Sequence, residues 1–206
     1  MSKPTLFASP QSSNAVRTLV TAAHLGVDLD VRMVQLASPT DRAAVAAVNP
    51  NGKIPVLVEG DFVLWESNAI NEYLCDRTPG QTLLPAAPRA KAEVHRWLYW
   101  ITAHLGVVTG GLNFERFVKR IIGRGEPDPQ AIAGHEAGFH QFARVVDAHL
   151  AGRAFLANDA LSLADYSLAA TLIHAEDAAY PIAGYAHLGA HRARVRELPA
   201  WKRVFP

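Results

Sequence analysis

Apolar positions recur along the chain in two rhythms, and the change falls between residues 80 and 90. Thr5-Leu6-Phe7-Ala8 is a short apolar run that predicts a strand, and Asp28–Gln35 alternates, with Leu29, Val31 and Met33 on one face. Between them, Val16, Leu19, Val20 and Ala23 stand at helical spacing within Ala15–Leu25, and Gly26 stops that helix. A weaker helix is predicted over Thr40–Val48, ended by Asn49-Pro50-Asn51-Gly52. Ile54–Val58 and Phe62–Trp65 flank a Glu59-Gly60-Asp61 turn, which predicts a hairpin. Ser67–Arg77, with Ile70, Tyr73 and Leu74 on one face, closes this part as a helix. The predicted order is βαβα, then ββα.

From Ala90 onward the strand rhythm vanishes. Lys91–Val108 reads as a long helix with an aromatic stripe at Trp97 and Trp100, interrupted at Gly110-Gly111. Asn113–Ile122, Pro129–Leu150, Leu163–Ala175 and His187–Glu197 all fit helices. The Pro- and Gly-rich stretch from Thr78 to Pro88 reads as the joint. The expected organisation is an α/β domain over residues 1–79, a linker over 80–88 and an all-helical domain over 89–206.

Composition narrows the function classes. Half of the 206 residues are apolar and 19% are charged, enough for a packed core and too few charges for wholesale disorder. Lys+Arg 20 against Asp+Glu 19 gives a net charge of +1, with no electrostatic case for nucleic acid as a partner. No apolar run approaches the roughly 18 residues of a membrane span. Met1–Thr5 carries no hydrophobic signal core, a single cysteine cannot form an internal disulfide, and no Asn-x-Ser/Thr acceptor occurs. A cytoplasmic location is the expectation. His135 and His140 are five apart, which puts them about 140° apart around a helix and off any shared ligand face. No Cys/His cluster occurs, so no metal is expected. Cys75 falls on the face pattern beside Leu74 and reads as a small buried hydrophobe.

The segment Asn49-Pro50-Asn51-Gly52-Lys53-Ile54-Pro55-Val56-Leu57, followed by Leu64-Trp65-Glu66-Ser67-Asn68-Ala69-Ile70, resembles the glutathione-binding segment of cytosolic glutathione S-transferases. That resemblance implies a thioredoxin-like N-terminal domain (βαβαββα) and an all-α C-terminal domain, which covers essentially the whole chain. Glutathione, an extended anionic tripeptide, would be the co-substrate, bound like an added strand at a sheet edge. The resemblance implies a cis Ile54–Pro55 bond that turns the Ile54 backbone toward the cysteinyl unit. It also implies that Glu66 and Ser67 take the γ-glutamyl end at a helix N-terminus, and that Lys53 takes the glycyl carboxylate. A plain N-cap is the structural alternative for Ser67, and a solvated loop position that for Lys53.

In the thioredoxin-like frame the sulfur-handling group sits after the first strand, here Ala8-Ser9-Pro10-Gln11-Ser12-Ser13-Asn14. No Cys-x-x-Cys stands there, which excludes intramolecular dithiol chemistry. The serine classes that the chain resembles hydrogen-bond the glutathione thiolate with a hydroxyl. Counting back five residues from Arg17, as in their plant-type members, selects Ser12; the register of the cysteine-type bacterial classes selects Ser13, and Ser9 is a third choice. All three are also ordinary turn and cap residues. A hydroxyl suffices energetically. Lowering a thiol pKa from about 8.5 to about 6.5 needs about 2.7 kcal/mol. A hydrogen bond to a charged acceptor contributes about 1.5–3 kcal/mol, and a helix N-terminus roughly 0.3–1.

The implied acceptor site is a cleft between the domains, with Tyr99, His104, Val108, Phe114 and Phe117 as candidates for a hydrophobic electrophile. Packing is the alternative for this aromatic set. Leu161-Ser162-Leu163-Ala164-Asp165-Tyr166 reads as a Ser-x-x-Asp capping box with a Leu161/Tyr166 staple, a structural feature. Arg116, Lys119, Arg120 and Arg124 form a basic stripe, either a solvated face or a guide for an anionic ligand. The expected activity is conjugation of the glutathione thiolate to a hydrophobic electrophile, a detoxifying transferase reaction. Glutathione-dependent peroxide or disulfide reduction and a non-catalytic binding module are the alternatives. The resemblance further implies a homodimer, for which Tyr73, Leu74 and the Ala92–His104 helix offer an apolar face.

Overall fold

The structure, a computed structural model, describes residues 3–35 and 37–206; the start-of-chain reading falls partly on Met1 and Ser2, outside the described residues. The first half runs β1 (Thr5–Ala8), α1 (Ser13–Leu25), β2 (Asp30–Met33), α2 (Pro39–Val48), β3 (Val56–Glu59), β4 (Phe62–Trp65) and α3 (Ser67–Asp76). This is the predicted βαβαββα order. The strands lie β2-β1-β3-β4, with β1 parallel to β2 and antiparallel to β3, and β3 antiparallel to β4. Leu6, Phe7, Val56 and Leu57 from the two inner strands pack with Ala15 and Ala22 of α1 and with Ile70 and Leu74 of α3. β2 is an exposed edge, so its alternating Val31 and Met33 lie in solvent rather than in the core. Leu74 is 2% exposed, which removes it from the apolar face expected for a partner subunit.

The chain divides into two compact units: one holds the residues up to Leu84 together with Glu197–Pro206, the other Pro85–Arg196. The terminal segment, expected with the helices, thus belongs to the sheet unit. There α10 (Pro199–Val204) packs on α1, and Arg203 Nη1 donates to the Ala23 carbonyl at 3.2 Å.

In the helical unit, α4 (Pro88–Trp100) continues through a π-helical turn (Ile101–Leu105) into α5 (Gly106–Asn113), a second π turn (Phe114–Val118) and α6 (Lys119–Ile121). The break expected at Gly110-Gly111 does not occur. A Cβ on Gly111 would lie 2.3 Å from the His135 ring, and one on Gly138 would lie 2.7 Å from Val108 Cγ1. Glycine here lets α5 and α7 (Pro129–Leu150) approach closely, and that contact offsets the roughly 1 kcal/mol helix cost of each. The later elements are α8 (Leu163–Thr171), a 3₁₀ turn (Ile182–Gly184) and α9 (Ala186–Arg196). α8 stops four residues before its predicted end at Ala175. Beyond it, Arg116 Nη1 takes the Ala178 and Ala179 carbonyls at 3.0 and 2.7 Å, in a turn rather than a helix. Fully buried Leu98, Ile101, Leu105, Leu112, Phe139, Leu163 and Tyr166 make the core of this unit.

Candidate functional site

Strand register decides what comes together. Phe7 faces Val56, and Val56 faces Trp65. The turn after β1, the residues before β3 and the start of α3 therefore leave the sheet at the same end. That end gathers Ser9–Ser13, Ile54–Pro55 and Glu66–Ser67.

The turn after β1 is held by Ser9. Its Oγ accepts from the Gln11 N–H at 3.3 Å, and its carbonyl from the Ser12 N–H at 3.0 Å, so this buried serine is occupied by the turn. Ser12 is the N-cap of α1, with extended backbone, and its Oγ accepts from the Ala15 N–H at 3.3 Å. Accepting with a lone pair leaves the hydroxyl proton to donate elsewhere. Ser13 is the first residue inside the helix. Both are half-buried.

Before β3, Asn49 shapes the loop. Its Oδ1 accepts from the Asn51 N–H at 3.0 Å, and its Nδ2 donates to the Lys53 carbonyl at 2.6 Å. Lys53 itself is exposed. The Ile54–Pro55 peptide is cis. Among the described residues, neither the N–H nor the C=O of Ile54 has a backbone partner.

At the start of α3, Glu66 adopts φ 74° and ψ 110°, a conformation that costs a non-glycine residue of order 1–3 kcal/mol. No side chain caps this helix. Ser67 is buried, and its hydroxyl makes no hydrogen bond among the described residues. Beneath these residues lies Arg17, 4% exposed. Its Nη1 reaches Asn68 Oδ1 at 3.5 Å, and its carbonyl accepts from Thr21 Oγ1 at 2.7 Å and Asn71 Nδ2 at 3.5 Å. Burial pulls the Arg17 pKa down to about 10, and the Glu66 carboxylate opposes that shift. The guanidinium therefore stays charged at neutral pH, tying the start of α1 to the start of α3. Asn68 and Asn71 were missed in the sequence. The available signal was polar Ser67 and Asn71 standing in the stripe otherwise formed by Ile70, Leu74 and Cys75, all buried.

The acceptor candidates all lie in the helical unit and face different neighbours. Val108 is buried against Gly138 of α7. The exposed His104 has its ring 5.7 Å from Trp100 and 5.1 Å from Phe142. Tyr99 is exposed beside His95, Phe114 is half-buried, and Phe117 stacks on His174 with centroids 6.3 Å apart. Trp97 is buried, 4.6 Å from the His149 ring. Three members of the basic stripe are matched by carboxylates: Arg116 with Glu136 at 2.5 Å, Lys119 with Glu115 at 2.7 Å and Arg120 with Glu126 at 3.0 Å. As a guide for an anion the stripe is thus largely neutralised. His135 lies against Gly111, whereas His140 bonds Tyr185, so the two histidines serve different neighbours.

A thioredoxin-like sheet unit with an open polar end, joined to a helical unit, defines a class of protein, and comparison with known proteins gives it a family. Residues 2–76 match the glutathione S-transferase N-terminal domain, and residues 129–203 match the glutathione S-transferase C-terminal domain. The chain is 34% identical to glutathione S-transferase 3 of Zea mays, over 97% of this chain and 91% of that protein. Among solved structures it resembles a glutathione S-transferase III in its apo form, with TM-score 0.84 and 29% identity, over 99% of this chain and 96% of that one. A glutathione S-transferase of Methylobacillus flagellatus with glutathione bound matches with TM-score 0.81 and 30% identity, over 98% of each chain. The chain belongs to the glutathione S-transferase family, as a glutathione transferase enzyme.

Proposed function

We propose that the chain conjugates the glutathione thiolate to hydrophobic electrophiles, with Ser12 as the group that holds the thiolate. The observation that carries this reading is the N-cap of α1. The Ser12 Oγ accepts from the helix at 3.3 Å, so its proton is the one donor it has left to offer an anion, at the positive end of a helix. Ile54, whose N–H and C=O have no backbone partner among the described residues, is suited to pair with the cysteinyl backbone. The unused Ser67 hydroxyl and the free N–H groups at the start of α3 are suited to the γ-glutamyl carboxylate, with Glu66 near the α-ammonium. Exposed Lys53 is the cation available for the glycyl carboxylate. Catalysis then consists of thiolate stabilisation and proximity, with no metal and no general base. Tyr99, His104, Val108, Phe114 and Phe117 stay the proposed acceptor set, with exposed Tyr99, His104 and Phe117 the better placed to meet a ligand. The same reading, by family membership, makes the protein a cytoplasmic, detoxifying homodimer.

The test is turnover. With glutathione and 1-chloro-2,4-dinitrobenzene, the wild type should release chloride and form the thioether, and Ser12→Ala should lose most of kcat. Turnover of a glutathionyl disulfide with none of the aryl halide would replace this reading with the reductase. Glutathione binding without turnover of either would replace it with a binding module.

A further inference from the structure

Of the seven asparagines in the chain, only Asn51 is followed by a glycine, and that pair lies in the loop that leads into Ile54–Pro55. The side-chain amide carbon of an asparagine can close a five-membered ring with the backbone nitrogen of the next residue. A side chain on that next residue obstructs the approach, and glycine has none. Asn49 is followed by Pro50, whose nitrogen carries no proton and cannot close such a ring. The other five asparagines each precede a residue with a Cβ.

The structure leaves this pair accessible and ties it to a single residue. Asn51 and Gly52 are both exposed, so water reaches them and a small leaving group departs freely. Gly52 stands at φ 61°, and a Cβ built on it meets nothing within 4 Å. Three hydrogen bonds hold the pair, and all three end on Asn49, the buried C-cap of α2. Asn49 Oδ1 accepts from the Asn51 N–H and from Asn51 Nδ2, each at 3.0 Å, and the Asn49 carbonyl accepts from the Gly52 N–H at 2.8 Å. The amide that would be attacked and the nitrogen that would attack it therefore share one latch. A single local opening at Asn49 frees both, and exposed loops open at low free-energy cost.

We infer that Asn51 is a self-modification site, latched by Asn49, and that its conversion to an acid weakens glutathione binding; this consequence rests on the reading of Lys53 and Ile54 given above. The Gly52 nitrogen attacks the Asn51 side-chain carbonyl carbon. The N–Cγ bond forms, the Cγ–Nδ2 bond breaks, and ammonia leaves with the proton that the Gly52 nitrogen gives up. Water then opens the cyclic imide at either carbonyl, which leaves aspartate or isoaspartate. Nothing is oxidised or reduced, and water is the sole co-reactant. Either product puts a negative charge two residues before Lys53, where it opposes an anionic tripeptide. Isoaspartate also routes the main chain through the former side chain, and so lengthens it by a methylene between the Asn49 turn and Ile54.

The test is to age the full chain for days in warm, mildly alkaline buffer and to read two things. Peptide mapping with isoaspartyl methyltransferase labelling locates the conversion, and calorimetry measures glutathione binding by fresh protein and by the acidic form separated on an anion exchanger. The expected result is conversion at Asn51 before any other asparagine, with the glutathione Kd of the acidic form raised by about fivefold. Asn49→Ala should convert at Asn51 faster than the wild type. Asn51→Gln, whose ring would be six-membered, should keep its own fresh Kd through the same ageing. Conversion at Asn51 no sooner than elsewhere, no acceleration in Asn49→Ala, loss of affinity in aged Asn51→Gln, or an acidic form that binds like fresh protein would each overturn the inference. Fresh wild type that fails to bind glutathione would instead overturn the functional reading, and the consequence for binding with it; the peptide map decides the conversion in either case.

Discussion

Helices α3 and α8 each begin with a serine and an acidic residue close together, and they begin in opposite ways. At α8 the chain finishes its own helix start. Asp165 Oδ2 accepts from the Ser162 N–H and hydroxyl at 2.8 and 2.9 Å, and Oδ1 accepts from the Leu156 N–H at 2.8 Å and contacts His191 Nε2 at 2.8 Å. All of this is buried. At α3 nothing is finished. Glu66 stands at φ 74°, no side chain caps the helix, and the Ser67 hydroxyl has no partner among the described residues. A helix start tied into the core by its own buried carboxylate is scaffold. A start with backbone N–H groups and a hydroxyl left over is what the proposed glutathione site requires.

The largest effect should come from breaking the closed start. Asp165→Ala leaves two buried N–H groups, a hydroxyl and a histidine without their acceptor, and should cost about 3–5 kcal/mol in urea unfolding. Its folded fraction should still bind glutathione with wild-type affinity. Next is the open start. Ser67→Ala should raise the glutathione Kd about tenfold or more while shifting stability by less than about 0.5 kcal/mol, since its hydroxyl has no hydrogen-bond partner among the described residues. A stability loss rivalling that of Asp165→Ala would erase the distinction. Glu66→Gly should sharpen it further: relief of the backbone conformation stabilises the protein by about 1 kcal/mol, and glutathione binding weakens. Destabilisation by this substitution would show that the conformation is not strained.

The smallest effect concerns the far end of α3, which is fastened. Tyr73 donates to Glu59 Oε2 at 2.7 Å, and Arg77 pairs with the same oxygen. Hydrogen bonds from Arg77 and Tyr73 hold the Glu59 carboxyl below its usual 4.5. A depressed carboxylate pKa stabilises the fold above the unfolded value, and that contribution is lost as pH falls through the folded one. The tie between hairpin and helix should therefore survive at pH 4.5 and fail below it. NMR titration of Glu59 should give a midpoint under 4.5, and Arg77→Gln should move it upward.

These regions also differ in how far sequence alone reveals them. β1 and β4 begin and end where the apolar runs do, because alternation and the Gly60 turn are local signals. The capping box was readable for the same reason, since Ser162 and Asp165 are three residues apart. His191, its fourth partner, lies 26 residues from Asp165 and carries no local sign of the contact. Glu66 at positive φ is invisible, since no glycine marks the position. Gly110-Gly111 misled because a helix-breaking composition was overruled by packing, with Gly111 needed under His135. Residues 197–206 went to the other unit for a similar reason: α10 docks on α1, a long-range choice that periodicity does not encode.

The central claim is that the open end of the sheet holds glutathione as a thiolate on Ser12. Its most direct test is the ultraviolet absorbance of the thiolate in bound glutathione against pH, for the wild type, Ser12→Ala and Ser13→Ala. The account predicts a bound thiol that ionises well below the free value of about 8.5 in the wild type and in Ser13→Ala, and that returns to it in Ser12→Ala alone. A bound thiol that titrates like the free one, or whose shift survives in Ser12→Ala, would contradict it.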